Sequence, residues 1–298
     1  NFDQPTYAVA VVPKTKNDDD KLGTAIYKLL EDDPSLQVVR NVETHQMLLK
    51  GMGETHIDIN IEKLKRKYGV QVETHAPKVP YRETIRKQVE VEGKHKKQTG
   101  GHGQYGHVWL RLAPSDKPDL DFSEEIFGGS VPKTYIPAVE KGLRETMQEG
   151  VLAGFPVTGI KAVLYDGSYH NVDSSEMAFK MAAALAFRKG AQLAQPVLLE
   201  PVMKVAISVP EAMMGDIISD LNGKRGKVIS MEPTGKREVI NAYVPMAEML
   251  NYSITLRSLT QGRGSFNMEF ARYDDVPPKM AEQIIAAAKT AKEKEEKH

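Results

Sequence analysis

The chain has 298 residues, 41% hydrophobic and 27% charged, which suits two or three soluble globular domains and excludes a disordered or membrane-embedded chain. Lys plus Arg and Asp plus Glu number 40 each, so no global basic field pulls the molecule to nucleic acid and any RNA contact must be local. Zero cysteines exclude a disulfide framework and a thiol nucleophile; with no apolar run near the roughly 20 residues that span a bilayer, no membrane partner is expected and the predicted setting is cytoplasmic.

Residues 7–12 read as a strand closed by Pro13. Asn17 is the predicted N-cap of a helix carrying Leu22, Ile26, Leu29 and Leu30, which Asp33-Pro34 stops. Residues 36–40 and 46–50 make a hairpin, Ile57, Ile61, Leu64 and Tyr68 lie on one helical face, and residues 70–73 supply a last strand. Next comes a long strand-like stretch, 79–97, with 107–112 as its hairpin partner. A helix over 135–149, a strand over 156–165 and a helix over 174–189 follow, the last with Asp173 as predicted N-cap and Gly190 as its stop. The opening order then returns: strand 202–209, a helical stripe of Met213, Met214, Ile217, Ile218 and Leu221 read as core filling, a hairpin of 227–231 with 238–244, one helix through Met246 and Ile254, and strand 265–273. A helix over 279–297 ends the chain. The predicted class is α+β: two ferredoxin-like βαββαβ domains flanking a different α/β domain.

The string Gln98-Thr99-Gly100-Gly101-His102-Gly103-Gln104-Tyr105-Gly106-His107 contains G-x-G-x-x-G. A dinucleotide fingerprint must open a helix, whereas residues 107–112 alternate like a strand, so the string reads as a glycine-rich hairpin tip. Arg86, Lys87, Lys94, Lys96 and Lys97 face only Glu90 and Glu92 along the arm, which favours phosphate contact over a merely solvated arm. His95, His102, His107 and His170 have no spacing that converges on one ion, so no metal is expected. A second tip runs from Tyr165 to Ser175; an Asp-Gly turn and a helix cap explain its Asp166, His170 and Ser residues better than a hydrolytic triad, and no catalytic residue is assigned. No phosphate loop occurs: Gly223-Lys224-Arg225-Gly226-Lys227 has the wrong spacing and reads as turn glycines on a basic edge.

Six ordered strings, GMGETHIDI from Gly51, PYRETI from Pro80, KKQTGGHGQYGHV from Lys96, YDGSYHNVDSSEMAF from Tyr165, LEPVMKV from Leu199 and LRSLTQGRGSF from Leu256, make the chain resemble the third to fifth domains of bacterial elongation factor G. The resemblance implies a third-domain-like segment over 1–78, a fourth-domain-like segment over 79–197 plus helix 278–298, and a fifth-domain-like segment over 198–277. The middle segment would be elongated, like the second domain of a small-subunit ribosomal protein. It also implies no cofactor in this chain, with GTP and Mg in a parent whose GTPase domains would precede Asn1; the lack of an initiator Met fits a fragment or processed product.

By the same resemblance the partners are the ribosome, at the decoding region, the stalk base and large-subunit RNA, together with tRNA–mRNA and the GTPase domains. The implied function is promotion of tRNA–mRNA translocation. Gly100, Gly101, His102, Gly103, Gln104 and Tyr105 would form one contact tip and Ser168, Tyr169 and His170 the other, with Gln104 and His170 leading. Lys224 and Arg225 would face large-subunit RNA. Gly53, Glu54 and His56 would lie in a third-domain pocket near the GTPase, although His56 also reads as an ordinary helix-face histidine. His102 stands where many members have Arg, and Thr55 where many have Leu. That departure keeps a recycling or ribosomal-protection paralogue open, beside a free-standing RNA-binding protein.

Overall fold

The computed structural model describes residues 4–297; residues 1–3 and 298, the outer ends of the first and last predicted segments, lie outside the described residues. The chain divides into two compact units, one of residues up to Pro80 with Glu200–Asp274, the other of Tyr81–Leu199 with the residues from Asp275 on.

The first βαββαβ set is β1 (Tyr7–Pro13), α1 (Lys16–Asp32), β2 (Gln37–Asn41), β3 (Gln46–Gly51), α2 (Glu54–Tyr68) and β4 (Val72–His75), with sheet order β2-β3-β1-β4. Leu22, Ile26 and Leu29 of α1 and Ile57 and Leu64 of α2 meet Val11, Leu49 and Val72 of the sheet. Leu29 and Leu64 are fully buried, each contributing about 2 kcal/mol by transfer from water. The predicted cap is displaced. Helix α1 is capped by Thr15 rather than Asn17, because the Thr15 hydroxyl accepts from Asp18 N–H at 3.1 Å and donates to the Asp18 carboxylate at 2.8 Å. That carboxylate in turn accepts from Gln71 N–H at 3.0 Å and lies lower than an ordinary Asp, chiefly for that reason.

The predicted strand over 79–97 is two strands, β5 (Arg82–Ile85) and β6 (Val89–Lys97). They part at Arg86 and Lys87, whose N–H groups both turn to Ala194 O, each at 3.0 Å. Then come β7 (Gln104–Pro114), β8 (Asp121–Glu124), α3 (Ile136–Glu149), β9 (Ile160–Ser168) and α4 (Glu176–Leu193), of which only β8 has no counterpart among the predicted elements. The sheet runs β6-β7-β9-β8, with β8 parallel to β9 and the other pairs antiparallel. Val91, Val108, Leu110 and Leu112 pack against Phe179, Ala182, Ala183, Ala186 and Phe187 of α4.

The small face of α4 permits an unusually close approach to the sheet. A Cβ on Gly93 would stand 2.2 Å from Ala182 O, and one on Gly106 would stand 2.4 Å from Ala178 O. Gly190, predicted as a helix stop, belongs to the same face: α4 continues to Leu193, and a Cβ there would meet Leu112 and Val91 at 2.7 and 2.8 Å. The cap of α4 is Ser175, not Asp173; its hydroxyl accepts from Ala178 N–H at 3.1 Å. Asp173 instead offers its carbonyl to Tyr105 N–H at 2.9 Å.

The second βαββαβ set is β10 (Pro196–Pro210), α5 (Met214–Gly223), β11 (Lys227–Thr234), β12 (Arg237–Pro245), α6 (Met246–Met249), α7 (Tyr252–Thr260) and β13 (Ser265–Asp275), with order β11-β12-β10-β13. The methionine stripe fills the core as predicted, Ile217 and Leu221 buried and Met213, Met214 and Ile218 packed on them. The single helix expected through Met246 and Ile254 is two, α6 and α7, interrupted at Leu250 and Asn251. Helix α8 (Pro278–Glu295) closes the chain. The fold is α+β, its sheets antiparallel except for the β8–β9 pair, and the class agrees with the sequence.

Candidate nucleic-acid interface

The topology of the second unit gathers chain ends at one end of its sheet. Lys97 pairs with Gln104 as the last rung of the β6–β7 hairpin, and Ser168, the end of β9, pairs with His107. The parallel strand β8 leaves in the same direction as β9, its Glu124 opposite Leu164. Helices α3 and α4 both start from this end, where Tyr135 just before α3 donates its hydroxyl to Ser174 O at 3.3 Å just before α4. Two partial positive helix termini therefore face the same side as the tip residues.

The two predicted tips are joined into one surface. Tyr105 N–H donates to Asp173 O at 2.9 Å, and the Ser174 hydroxyl donates to Tyr105 O at 2.9 Å. Gly103 sits so close to the Asp173 carboxylate that a Cβ would lie 2.8 Å from Oδ2. The glycines of the tip thus divide by role. Gly100 and Gly101 turn the chain with φ of 43° and 125° in open space, while Gly103 and Gly106 admit a neighbour. The loop proper is residues 98–103; Gln104 and Tyr105, predicted as tip loop, are the first rungs of β7.

Below the tip a polar chain ties three strands together. Glu92 on β6 meets His107 Nε2 at 2.7 Å, His107 Nδ1 meets the Ser168 hydroxyl at 2.7 Å, and the same hydroxyl meets Tyr105 OH at 2.7 Å. His95 is buried, and its Nε2 lies 2.8 Å from the Gln104 side-chain oxygen. That bond engages one end of Gln104 and leaves its other end at the exposed surface. His170 is set by its own loop: Nδ1 accepts from Val172 and Asp173 N–H, each at 3.2 Å. A neutral ring holding those bonds carries its proton on Nε2, as an outward donor.

His102, Tyr169 and His170 are exposed, as are Lys96 and Lys97 and, on the arm, Lys94. Lys94 lies over the Tyr105 ring, 5.5 Å from its centroid, and no ion pair among the described residues involves Lys94, Lys96 or Lys97. The surface combines free cations, an imidazole donor, ring faces and side-chain-free backbone, a set suited to phosphates and unpaired bases. Among the described residues no group of three or more His, Cys, Asp or Glu could hold a metal.

The other predicted site residues are engaged internally. His56 Nδ1 accepts from Met52 N–H at 2.9 Å, which puts the ring proton on Nε2, 2.7 Å from the Asp33 carboxylate. Burial pushes that carboxyl up, but hydrogen bonds from Ser35 and His56 outweigh it and hold it at about 2. Gly53 caps α2 in extended backbone, and a Cβ there would meet the Arg257 guanidinium at 2.8 Å; Glu54 is exposed in the first turn. None of the three lines the cavity of about 610 Å³ in the first unit, whose walls include Thr6, Leu48, Lys50, Lys204, Met249 and Phe266.

Lys224 pairs with Asp220 at 2.7 Å. Arg225, not a glycine, is the left-handed residue of its turn, with φ of 58°. Its guanidinium grips the buried Glu200 carboxylate at 2.6 and 3.0 Å and reaches Glu248 at 3.3 Å. The hydrogen bond to Glu200 is the main reason its basicity is raised further.

Residues 2–76, 77–195 and 197–284 match, in turn, the families described as elongation factor G domain III, elongation factor G domain IV and elongation factor G C-terminus. The chain belongs to the elongation factor G family. A crystal structure of a Thermus thermophilus protein is 48% identical with a TM-score of 0.85, covering 97% of this chain and 44% of that one. This member of the family therefore spans less than half the length of that relative. The two tip strings quoted from its sequence both fall inside the segment matched to domain IV. No described helix is long and apolar enough to cross a membrane.

Two features of the site had little signal in the sequence. Glu83, within PYRETI, is fully buried and accepts from the N–H groups of Val151 and Leu152 at 2.7 Å, Ala153 at 3.0 Å and Phe155 at 2.9 Å. Its partners are backbone groups some 70 residues away, so no residue type marks them. Strand β8 is four residues long, too short for its alternation to register.

Proposed function

We infer that this chain is the ribosome-binding C-terminal portion of a translational GTPase and that the parent promotes tRNA–mRNA translocation in protein synthesis. The observation that carries the reading is the joining of residues 98–105 and 168–174 into one exposed surface bearing free lysines. Gly100, Gly101, His102, Gly103, Ser168, Tyr169 and His170 are its contact residues, with the Gln104 and Tyr105 side chains at the margin. A bare glycine turn lets an RNA backbone approach, the His170 Nε2–H donates, and the lysines neutralise phosphates.

The reading divides the chain into a third-domain-like part over 1–78, a fourth-domain-like part over 79–197 with 278–298, and a fifth-domain-like part over 198–277. The decoding region and tRNA–mRNA are the partners of the tip. The stalk base and large-subunit RNA are partners of the last part, where Lys224 and Arg225 act by shaping the turn rather than by direct contact, since both are held in ion pairs. Gly53, Glu54 and His56 support the surface that meets the GTPase domains, which bind GTP and Mg in the cytoplasm.

The test is a single-turnover translocation assay on the full-length parent carrying His170→Ala or His102→Ala, paired with ribosome co-sedimentation. A fall of tenfold or more for His170→Ala, about 1.4 kcal/mol in barrier, is the expected result. Wild-type rates in both variants would sink the tip assignment. Subunit splitting without translocation by the unmodified parent would move the protein to a recycling role.

A further inference from the structure

The end of the sheet that carries the two tips carries a third segment. It runs from the end of β8 to the start of α3, through Glu125-Ile126-Phe127-Gly128-Gly129-Ser130-Val131. Phe127 is 92% exposed, the most exposed of the large hydrophobic residues described. Burying a phenyl ring is worth about 2 to 3 kcal/mol, so the fold forgoes that stabilisation at a position where any polar residue would serve as well.

The segment is an ordered turn. Ser130 N–H reaches Phe127 O at 3.4 Å, and Ile126 N–H donates to the Glu124 carboxylate at 2.7 Å. Gly128 and Gly129 both have left-handed φ, 65° and 72°, with open space where a Cβ would be. The far end is pinned to the second tip. Val131 is buried beside Gly167, where a Cβ would touch Val131 Cγ2 at 2.6 Å, and Tyr135 bonds Ser174 O. The nearby acids are engaged as well, Glu124 by Ile126 N–H and Glu125 by Arg111 at 3.5 Å, and Lys133 is exposed just beyond.

We propose that Phe127 is a third contact point of this interface and that it stacks on an unpaired RNA base. The proposal rests on the RNA-binding reading above. A ring 92% exposed and followed by two glycines in open space has both faces accessible. A base needs only a π-face, whereas a protein partner gains from a wider apolar patch. The parallel β8–β9 pairing brings the turn to the end of the sheet where the tip lysines lie, on the opposite edge strand β6.

The experiment is equilibrium co-sedimentation of this chain with purified ribosomes at several salt concentrations, for wild type and for Phe127→Ala, Phe127→Leu, Phe127→Trp and Lys97→Ala. The exposure of Phe127 makes all of its variants safe for folding, which a thermal melt checks. Phe127→Ala and Phe127→Leu should each weaken binding about 5- to 150-fold, the loss of one base–aromatic stack, while Phe127→Trp holds wild-type affinity. The salt slope should stay at the wild-type value in these variants and fall by about one in Lys97→Ala.

A photo-crosslinking amino acid at position 127 should label RNA. Labelling of a ribosomal protein, or full binding by Phe127→Leu, would overturn the stacking proposal in favour of an apolar pocket. Full binding by Phe127→Ala beside weakened binding by Lys97→Ala would remove this inference and leave the RNA-binding reading standing. No binding by the wild-type chain would overturn both.

Discussion

Replacing Glu83 by Gln keeps the shape of the side chain and changes one acceptor oxygen into an NH2 group. In the native structure the two carboxylate oxygens divide four N–H donors between them, Val151 and Leu152 on Oε1 and Ala153 and Phe155 on Oε2. In Glu83→Gln two of those donors face another donor in a site with no solvent exposure, and the two that remain lose the charge on their acceptor. A buried donor left unpaired costs about 1 to 3 kcal/mol, so two of them cost about 3 kcal/mol after partial relaxation. For a unit of this size each kcal/mol lowers the melting temperature by about 3 °C, giving an expected drop of about 10 °C. Hydrogen exchange gives a local check, with Val151, Leu152, Ala153 and Phe155 amides losing protection before the strands do. A variant melting within about 1 °C of wild type, with those amides still protected, would refute the claim that the carboxylate holds this segment.

Gly93→Ala places a methyl 2.2 Å from a helix carbonyl that cannot rotate away, so it should destabilise by about 3 kcal/mol in urea unfolding, and Gly106→Ala comparably. Arg225→Ala leaves the Glu200 carboxylate buried without its cation, with an expected cost of about 3 to 5 kcal/mol by thermal melt; the double variant Arg225→Met with Glu200→Leu should recover most of it. The Asp33 carboxyl is depressed to about 2, below its unfolded value near 4, so its contribution is present above about pH 4 and lost as pH falls toward 2. Urea midpoints measured from about pH 5 to about pH 2 should fall less steeply in Asp33→Asn than in wild type.

Much of the fold was legible because helical and strand periods survive wherever one face is buried. Leu22, Ile26 and Leu29 on α1 and the methionine stripe on α5 follow that rule. The errors share a cause too. Asn17 and Asp173 have good capping chemistry, yet Thr15 and Ser175 won the caps because their hydroxyls reach the third residue onward while the chain is still extended. Gly190 carries a helix-stop composition, but what uses its missing side chain is a neighbouring sheet. Residues 79–97 read as one strand because nothing local announces that Arg86 and Lys87 turn toward Ala194.

The sequence by itself determined the α+β class, the two βαββαβ sets, the family, and the hairpin nature of the glycine-rich string, since each depends on residue type and spacing along the chain. The tertiary structure alone decided that residues 98–105 and 168–174 form a single surface, that Arg225 and His56 are spent on internal partners, and that Phe127 stands at the same end of the sheet as the tips. The reason is physical: periodicity says which face of an element is buried, whereas strand order and parallel or antiparallel pairing set which loops emerge together. Those are properties of contacts between residues far apart in the chain.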